Sequence, residues 1–277
     1  MERVRNAAAN NRAVRMLYRL GAIFRSRGAI RHRPRQSLRY VFKSKDVMHF
    51  TYELENEAAM ASWLGEALSV PPAEVTALFD ELRDDAWLHE GIAERLRAHP
   101  RRDDDVHYGY RLATYAIVRL TSPRVAAELG THDGLQTAML LRALERNGEG
   151  GAAGTLMSFD LNPDSGWLVP SELKENLVHV VGDLAETFGP ALREDGVDFL
   201  MQDIGHAYPG NRGMYAEAAD AANRSLHVFA EVDSETDLLE VANERNARYS
   251  SFSEEPLDHF WHGQRWGLAS FERRADD

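Results

Sequence analysis

From Arg124 onward, short apolar runs alternate with longer amphipathic stretches, and that alternation restricts the fold more than anything else in the chain. VAAEL, TLMSFD, LVHVV, VDFLMQ and LHVFAEV read as strands. Between them LQTAMLLRALERN, LAETFGPALRE, GMYAEAADAANR and SETDLLEVANERN read as helices, and YSSFSEEP and WGLASFERR read as two last strands. The runs are continuously apolar rather than alternating, which is the pattern of strands covered on both faces. Strand–helix alternation of this length predicts an α/β fold, a parallel sheet with helices on both sides.

The first 122 residues are of another kind. Residues 55–98 are predicted helical, and YGYRLATYAIVRL is a further helix ended by Ser122-Pro123. RHRPRQ reads as a linker after a first helix, and RRDDD as a polar hinge. The expected organisation is a basic arm (1–45), a helical lid or oligomerisation region (46–122) and a ligand-binding domain (123–277). Residues 1–45 hold eleven Arg and two Lys against one Glu, a local charge of +12, so a chain of net charge −12 carries −24 elsewhere. In the arm, Ala13, Leu17, Leu20 and Phe24 share one helical face among arginines. Such a helix can lie on an anionic membrane; the plainer alternative is packing on the acidic body of its own chain or of a neighbouring subunit. The acidic body argues against a nucleic-acid partner. With no cysteine, thiolate catalysis and Cys-type zinc sites are excluded and a reducing, cytoplasmic setting is expected.

The carboxyl ends of the predicted strands bring up Glu128, Asp160, Asp183, Asp203 and Asp233, and in parallel sheets ligands bind at those ends. In ELGTHDGLQT, Gly130 permits a tight turn and Gly134 a close approach of helix to strand. A dinucleotide fingerprint needs glycine where His132 stands, which argues against diphosphate cofactors but not against a nucleoside. Asp160 can take both hydroxyls of a ribose, and Asp183 can accept from an adenine amine. An acidic rim also suits a cation. S-adenosyl-L-methionine, with ribose, adenine, sulfonium and no phosphate, meets each requirement.

These residues resemble a known family. Residues 124–272 look like a class I S-adenosylmethionine-dependent methyltransferase: ELGTHDGLQT its first motif, SFDLNP its ribose-binding acid, VVGD its adenine-side loop. VDFLMQDIGHAY resembles the Asp-x-Asp-His strand end of bacterial sugar and natural-product O-methyltransferases, and FTYEL, YAIVR, ALERNGEGGAAG and EEPLDHFWHGQRWGLASF extend the likeness. The resemblance implies a Rossmann-like, seven-stranded, mostly parallel sheet whose last strand is antiparallel, with an N-terminal helical extension. It implies that Glu128, Gly130, Thr131, Gly134, Asp160, Asp183 and Asp203 hold the cofactor, and that a hydroxyl of a sugar, glycolipid or secondary metabolite is methylated.

Methyl transfer to a hydroxyl benefits from a general base, and His206, beside Asp203, is the candidate. Relatives resembling catechol O-methyltransferase add Mg²⁺, for which Asp203 and Asp233 are the matching carboxylates. Two positions depart from the pattern: Gly205 stands for the second acid, and Ser234 for an amide ligand. His259, His262 and Tyr208 are candidate substrate-lining groups. The expected partners are a small-molecule or glycan acceptor, a second copy in a homo-oligomer, and a membrane surface met peripherally by the arm. The competing reading is a catalytically degenerate methyltransferase fold acting as a scaffold or regulatory partner.

Overall fold

The computed structural model describes residues 11–25, 33–42, 52–98, 106–149, 151, 153–204, 211–233, 236–257, 259 and 261–272. By packing, the chain falls into two compact units. The larger comprises Ala58–Asp84, Arg111–Ser253 and Gln264–Asp277; the smaller comprises Met1–Glu57, Asp85–Tyr110 and Glu254–Gly263.

The larger unit is built on one seven-stranded sheet. In chain order its strands are β1 (Val125–Leu129), β2 (Thr155–Asp160), β3 (Leu177–Val181), β4 (Val197–Gln202), β5 (Ala222–Glu231), β6 (Arg248–Ser253) and β7 (Arg265–Glu272). Their order across the sheet is β3-β2-β1-β4-β5-β7-β6, with β7 antiparallel to both neighbours. The expected Rossmann-like methyltransferase sheet is therefore present. The central strands β1 and β4 are almost wholly buried, whereas the edge strand β3 exposes Val178 and Val181. That gradient follows from position, since an edge strand has one neighbour and less cover.

The helices of this unit are, in part, α3 (Glu57–Leu68), α4 (Pro72–Arg83), α6 (Arg111–Thr121), α7 (Leu135–Asn147), α8 (Leu184–Asp195), α9 (Asn211–Asp220) and α10 (Asp237–Glu244). Phe188 and Leu192 of α8, Met214 and Tyr215 of α9, and Leu238 and Val241 of α10 join sheet residues in one apolar core. Trp63 of α3 stacks on Phe252 (5.5 Å), and Phe229 stacks on Trp266 (5.0 Å). β5 begins at Ala222, so its first residues, expected to end a helix, are strand. Val197 pairs with Ala222 ahead of a shift in the ladder.

The smaller unit holds α1 (Arg12–Arg25), α2 (Pro34–Phe42) and α5 (Ala86–Arg97). Pro34 opens α2, so RHRPRQ is not only a linker: proline pre-sets the first-turn φ and lacks an N–H that no helix would satisfy there. Asp85 caps α5, its carboxylate accepting from the Leu88 N–H (3.0 Å). Ile23, Tyr40 and Val41 form a small core with Met16, Ala22 and Trp261. Arg19 is fully buried, its guanidinium 5.1 Å from the Tyr40 ring centroid. The stripe of Leu17, Leu20 and Phe24 is exposed, while Met16, Arg19 and Ile23 of α1 face the unit's small core. Among the described residues no helix is long and apolar enough to cross a membrane.

Candidate functional site

The strand order reverses between β1 and β4, because β1 continues to β2 on one side and β4 to β5 on the other. A crevice opens at such a switch point, beyond the carboxyl ends. Gly130 follows β1 and Asp203 follows β4, and a Cβ at Gly130 would lie 3.1 Å from the Ile204 side chain and 3.4 Å from the Asp203 carbonyl. The turn after β1 enters the left-handed region at every second residue: Gly130 (φ 93°), His132 (φ 49°) and Gly134 (φ 89°). His132 thus occupies a conformation that costs an L-residue about 1 kcal/mol. Its N–H donates to Asp160 Oδ2 (2.8 Å), tying the turn to the end of β2.

Gly134 has a different neighbour from the one expected. A Cβ there would meet Gly166 Cα at 2.7 Å and the Val169 side chain at 2.9 Å, so the close approach is to the loop after β2, not to a strand. That loop is pinned by Gly166 N–H donating to the His132 carbonyl (2.9 Å) and Leu168 N–H to the Asp133 carbonyl (2.8 Å). Asp133 itself accepts from the Leu135 N–H (3.1 Å) at the start of α7.

Glu128 lies beneath the rim rather than on it, 1% exposed. Its Oε2 accepts from Thr137 Oγ1 and from Ser158 Oγ, both at 2.6 Å. Since Ser158 gives its one proton to the carboxylate, Thr131 donates to Ser158 (2.6 Å), and the three groups form a chain from turn to strand. Glu128 Oε1 is buried and has no hydrogen-bond partner among the described residues. Burial pushes the Glu128 carboxyl up to about 7, with the Asp203 charge acting in the same direction and the two hydroxyls opposing it.

Of the other expected cofactor residues, Asp160 is half-buried and accepts two backbone amides, His132 on Oδ2 and Asn162 on Oδ1 (2.8 Å). Asp183 is exposed and caps α8, accepting from Ala185 N–H (2.9 Å). Asp203 is half-buried and does not cap α9, which starts at Asn211. Asp233 is exposed beyond the neighbouring β5, its Oδ1 accepting from the Arg265 N–H (2.8 Å). Glu128, Gly130, Thr131, Gly134, Asp160 and Asp203 are thus gathered around one switch point. Asp203 and Asp233 follow adjacent strands, and among the described residues no group of three or more His, Asp or Glu could hold a metal.

His206, Tyr208, Gly205 and Ser234 lie outside the described residues. His259 and His262 belong to the smaller unit. His259 is fully buried among Tyr40, Tyr52 and Trp261, with Nδ1 accepting from the Trp261 N–H (3.1 Å); His262 is exposed against the Trp261 ring. The sequence reading missed Ser158 and Thr137, which hold Glu128. A serine inside the apolar run TLMSFD was the available signal, since it pairs in register with Glu128.

Residues 127–231 match the model of a family described as a methyltransferase domain. A putative O-methyltransferase from Klebsiella pneumoniae superposes with a TM-score of 0.51 at 13% identity, over 73% of this chain and 97% of that one. An O-methyltransferase from Bacillus cereus, solved with SAH, gives 0.51 at 14% identity over 73% and 97%. The O-methyltransferase TomG from Streptomyces achromogenes, involved in tomaymycin synthesis and solved with SAM, gives 0.50 at 14% identity over 68% and 90%. No curated protein matches the chain. Residues 127–231 accordingly resemble a methyltransferase domain, and the larger unit has the Rossmann-like fold of those solved methyltransferases.

Proposed function

We propose that the protein is an S-adenosyl-L-methionine-dependent O-methyltransferase acting on a hydroxyl of a small molecule or glycan. The observation that carries this reading is the Asp160 carboxylate at the switch point, locked to the turn by the His132 N–H. Each of its oxygens takes one amide and keeps a second acceptor site, enough for the two hydroxyls of a ribose. Leu161, 74% exposed beside it, offers an apolar face for a flat base. Glu128 and Asp203 set negative charge near the turn, which favours a sulfonium or ammonium and opposes a phosphate. The solved relatives bound to SAM and SAH support the same cofactor.

S-adenosylmethionine held there would supply an activated methyl group on its sulfonium. Asp203 and His206 would orient the acceptor hydroxyl, and the imidazole would take its proton as the C–O bond forms and the C–S bond breaks. Mg²⁺ would find Asp203 and Asp233 as its carboxylates, completing its shell with water, and would make the hydroxyl easier to deprotonate.

Calorimetric titration with S-adenosylmethionine tests the cofactor. Tight binding is expected, and Asp160→Ala should weaken it roughly 10- to 100-fold through the lost charge-assisted hydrogen bonds. Wild type that fails to bind overturns the reading. His206→Ala should lower turnover roughly 10²- to 10⁴-fold with cofactor affinity intact. Turnover unchanged by EDTA would remove the metal from the scheme. The scaffold reading, favoured by Gly205 and Ser234, requires no turnover on any hydroxylated acceptor with tritiated cofactor.

A further inference from the structure

Two helices of the smaller unit, α1 and α2, are built alike. Each packs one face inward, Met16 and Ile23 from α1 and Tyr40 and Val41 from α2, around Trp261. Each turns large apolar side chains outward: Leu17 (69% exposed), Leu20 and Phe24 (74%) on α1, Leu38 (61%) and Phe42 (57%) on α2. Positions 17, 20 and 24 fall on one helical face, as do 38 and 42. The two helices supply five of the eleven exposed large apolar residues among those described. The unit's own core is already filled from the other faces, so this surface is not what folds it.

The same helices contain no acidic residue. Arg12, Arg25, Arg35 and Arg39 are exposed on them. A stripe this apolar and this basic needs a partner that is both apolar and negative. A second copy meeting it helix against helix would set like charges together. An anionic bilayer offers phosphates and hydrocarbon depth over one plane and requires no matching shape. Leu38 and Phe42 also wall a cavity of about 510 Å³ with Tyr52 and Leu257, whose remaining lining is Arg39, Glu53 and His107. The rest of the chain, at −24, is repelled by an anionic surface, which favours an approach through this basic face.

We propose that α1 and α2 dock the protein on an anionic membrane surface, with Leu17, Leu20, Phe24, Leu38 and Phe42 inserted among the lipids and the exposed arginines on the phosphates. The contact is peripheral and reversible, and it stands independently of the methyl-transfer reading.

Co-sedimentation of the full chain with vesicles of phosphatidylcholine alone, or with phosphatidylglycerol added, tests it. The protein should pellet with the anionic vesicles, stay in solution with the neutral ones, and be released by high salt. Leu17→Ser with Phe24→Ser should lower the partition coefficient at least about tenfold, and Arg12→Glu with Arg25→Glu should remove most of the salt-sensitive part. Both doubles should keep the wild-type melting curve, because the side chains are exposed. Failure of wild type to bind anionic vesicles, equal binding to neutral ones, or doubles that bind as wild type does would each overturn the proposal. So would light scattering showing a stable dimer that the Leu17–Phe24 double dissolves, which would mean that a second copy covers the face.

Discussion

The two units distribute polarity in opposite ways. The larger one hides most of its apolar side chains, Leu161, Val178, Val181 and Leu239 apart, and gives its buried acid, Glu128, two hydroxyls, one of them backed by Thr131. The smaller one buries Arg19, Glu254 and His259 and leaves Leu17, Phe24, Leu38 and Phe42 to solvent. Tyr52 donates to Glu254 (2.8 Å), the Tyr40 ring faces Arg19, and the rings of Tyr40, Tyr52 and Trp261 surround His259. What differs is where apolar area is spent. In the larger unit it goes to the interior and leaves chemistry to a polar rim, and in the smaller unit much of it faces outward.

The contrast can be sharpened by substitution. The largest effect is expected in the sheet: Phe229→Ala, which empties a fully buried site stacked on Trp266, should cost about 3–5 kcal/mol in urea denaturation. A cost below about 1 kcal/mol would mean that the sheet core is looser than its packing implies.

Glu128→Gln comes next and runs the other way. The folded carboxyl is raised from 4.5 to about 7. The stability linked to it is therefore fully present below pH 4.5 and lost as pH rises through about 7. Gln removes that loss, so the variant should gain up to about 3 kcal/mol over wild type at pH 8 and nothing at pH 4. It should bind S-adenosylmethionine more weakly on the reading proposed above. No pH-dependent difference between the two proteins would show that Glu128 is not held under strain.

The smallest effect belongs to the outer face of α1: Leu17→Ser should stay within about 0.5 kcal/mol of wild type. A loss of 2 kcal/mol or so would show that the stripe packs within the chain after all, which its exposure of 69% denies.

Much of the larger unit was legible in the residues. VAAEL, TLMSFD and VDFLMQ form strands where expected, because a strand covered on both faces needs an unbroken apolar run; LVHVV is a strand as well, but at the sheet edge and half-exposed. The rim was legible for Asp160, which ends β2, and for Asp183, Asp203 and Asp233, which come within two residues of the ends of β3, β4 and β5. Glu128 was misplaced by one step of depth. Whether an acid at the end of a run faces solvent or the α7 side depends on how Thr137 and Ser158 come round it, two hydroxyls 9 and 30 residues away. Gly134 was assigned the wrong neighbour for the same reason, since Gly166 reaches it from a loop without periodicity.

The amino-acid sequence by itself determined the order of strands and helices, a turn with His132 where a dinucleotide fingerprint has glycine, and the separation of a basic arm from an acidic body. Each of these rests on local facts: hydrophobic period, a glycine or histidine at a given φ, charge counted along the chain. Only the tertiary structure decided that Glu128 is a buried acid, one of its oxygens without a hydrogen-bond partner among the described residues, and that α1 turns Leu17, Leu20 and Phe24 outward while Arg19 goes in. An amphipathic pattern states that a helix has two faces. Which face is inward depends on what packs there, and in α1 the Tyr40 ring took the guanidinium.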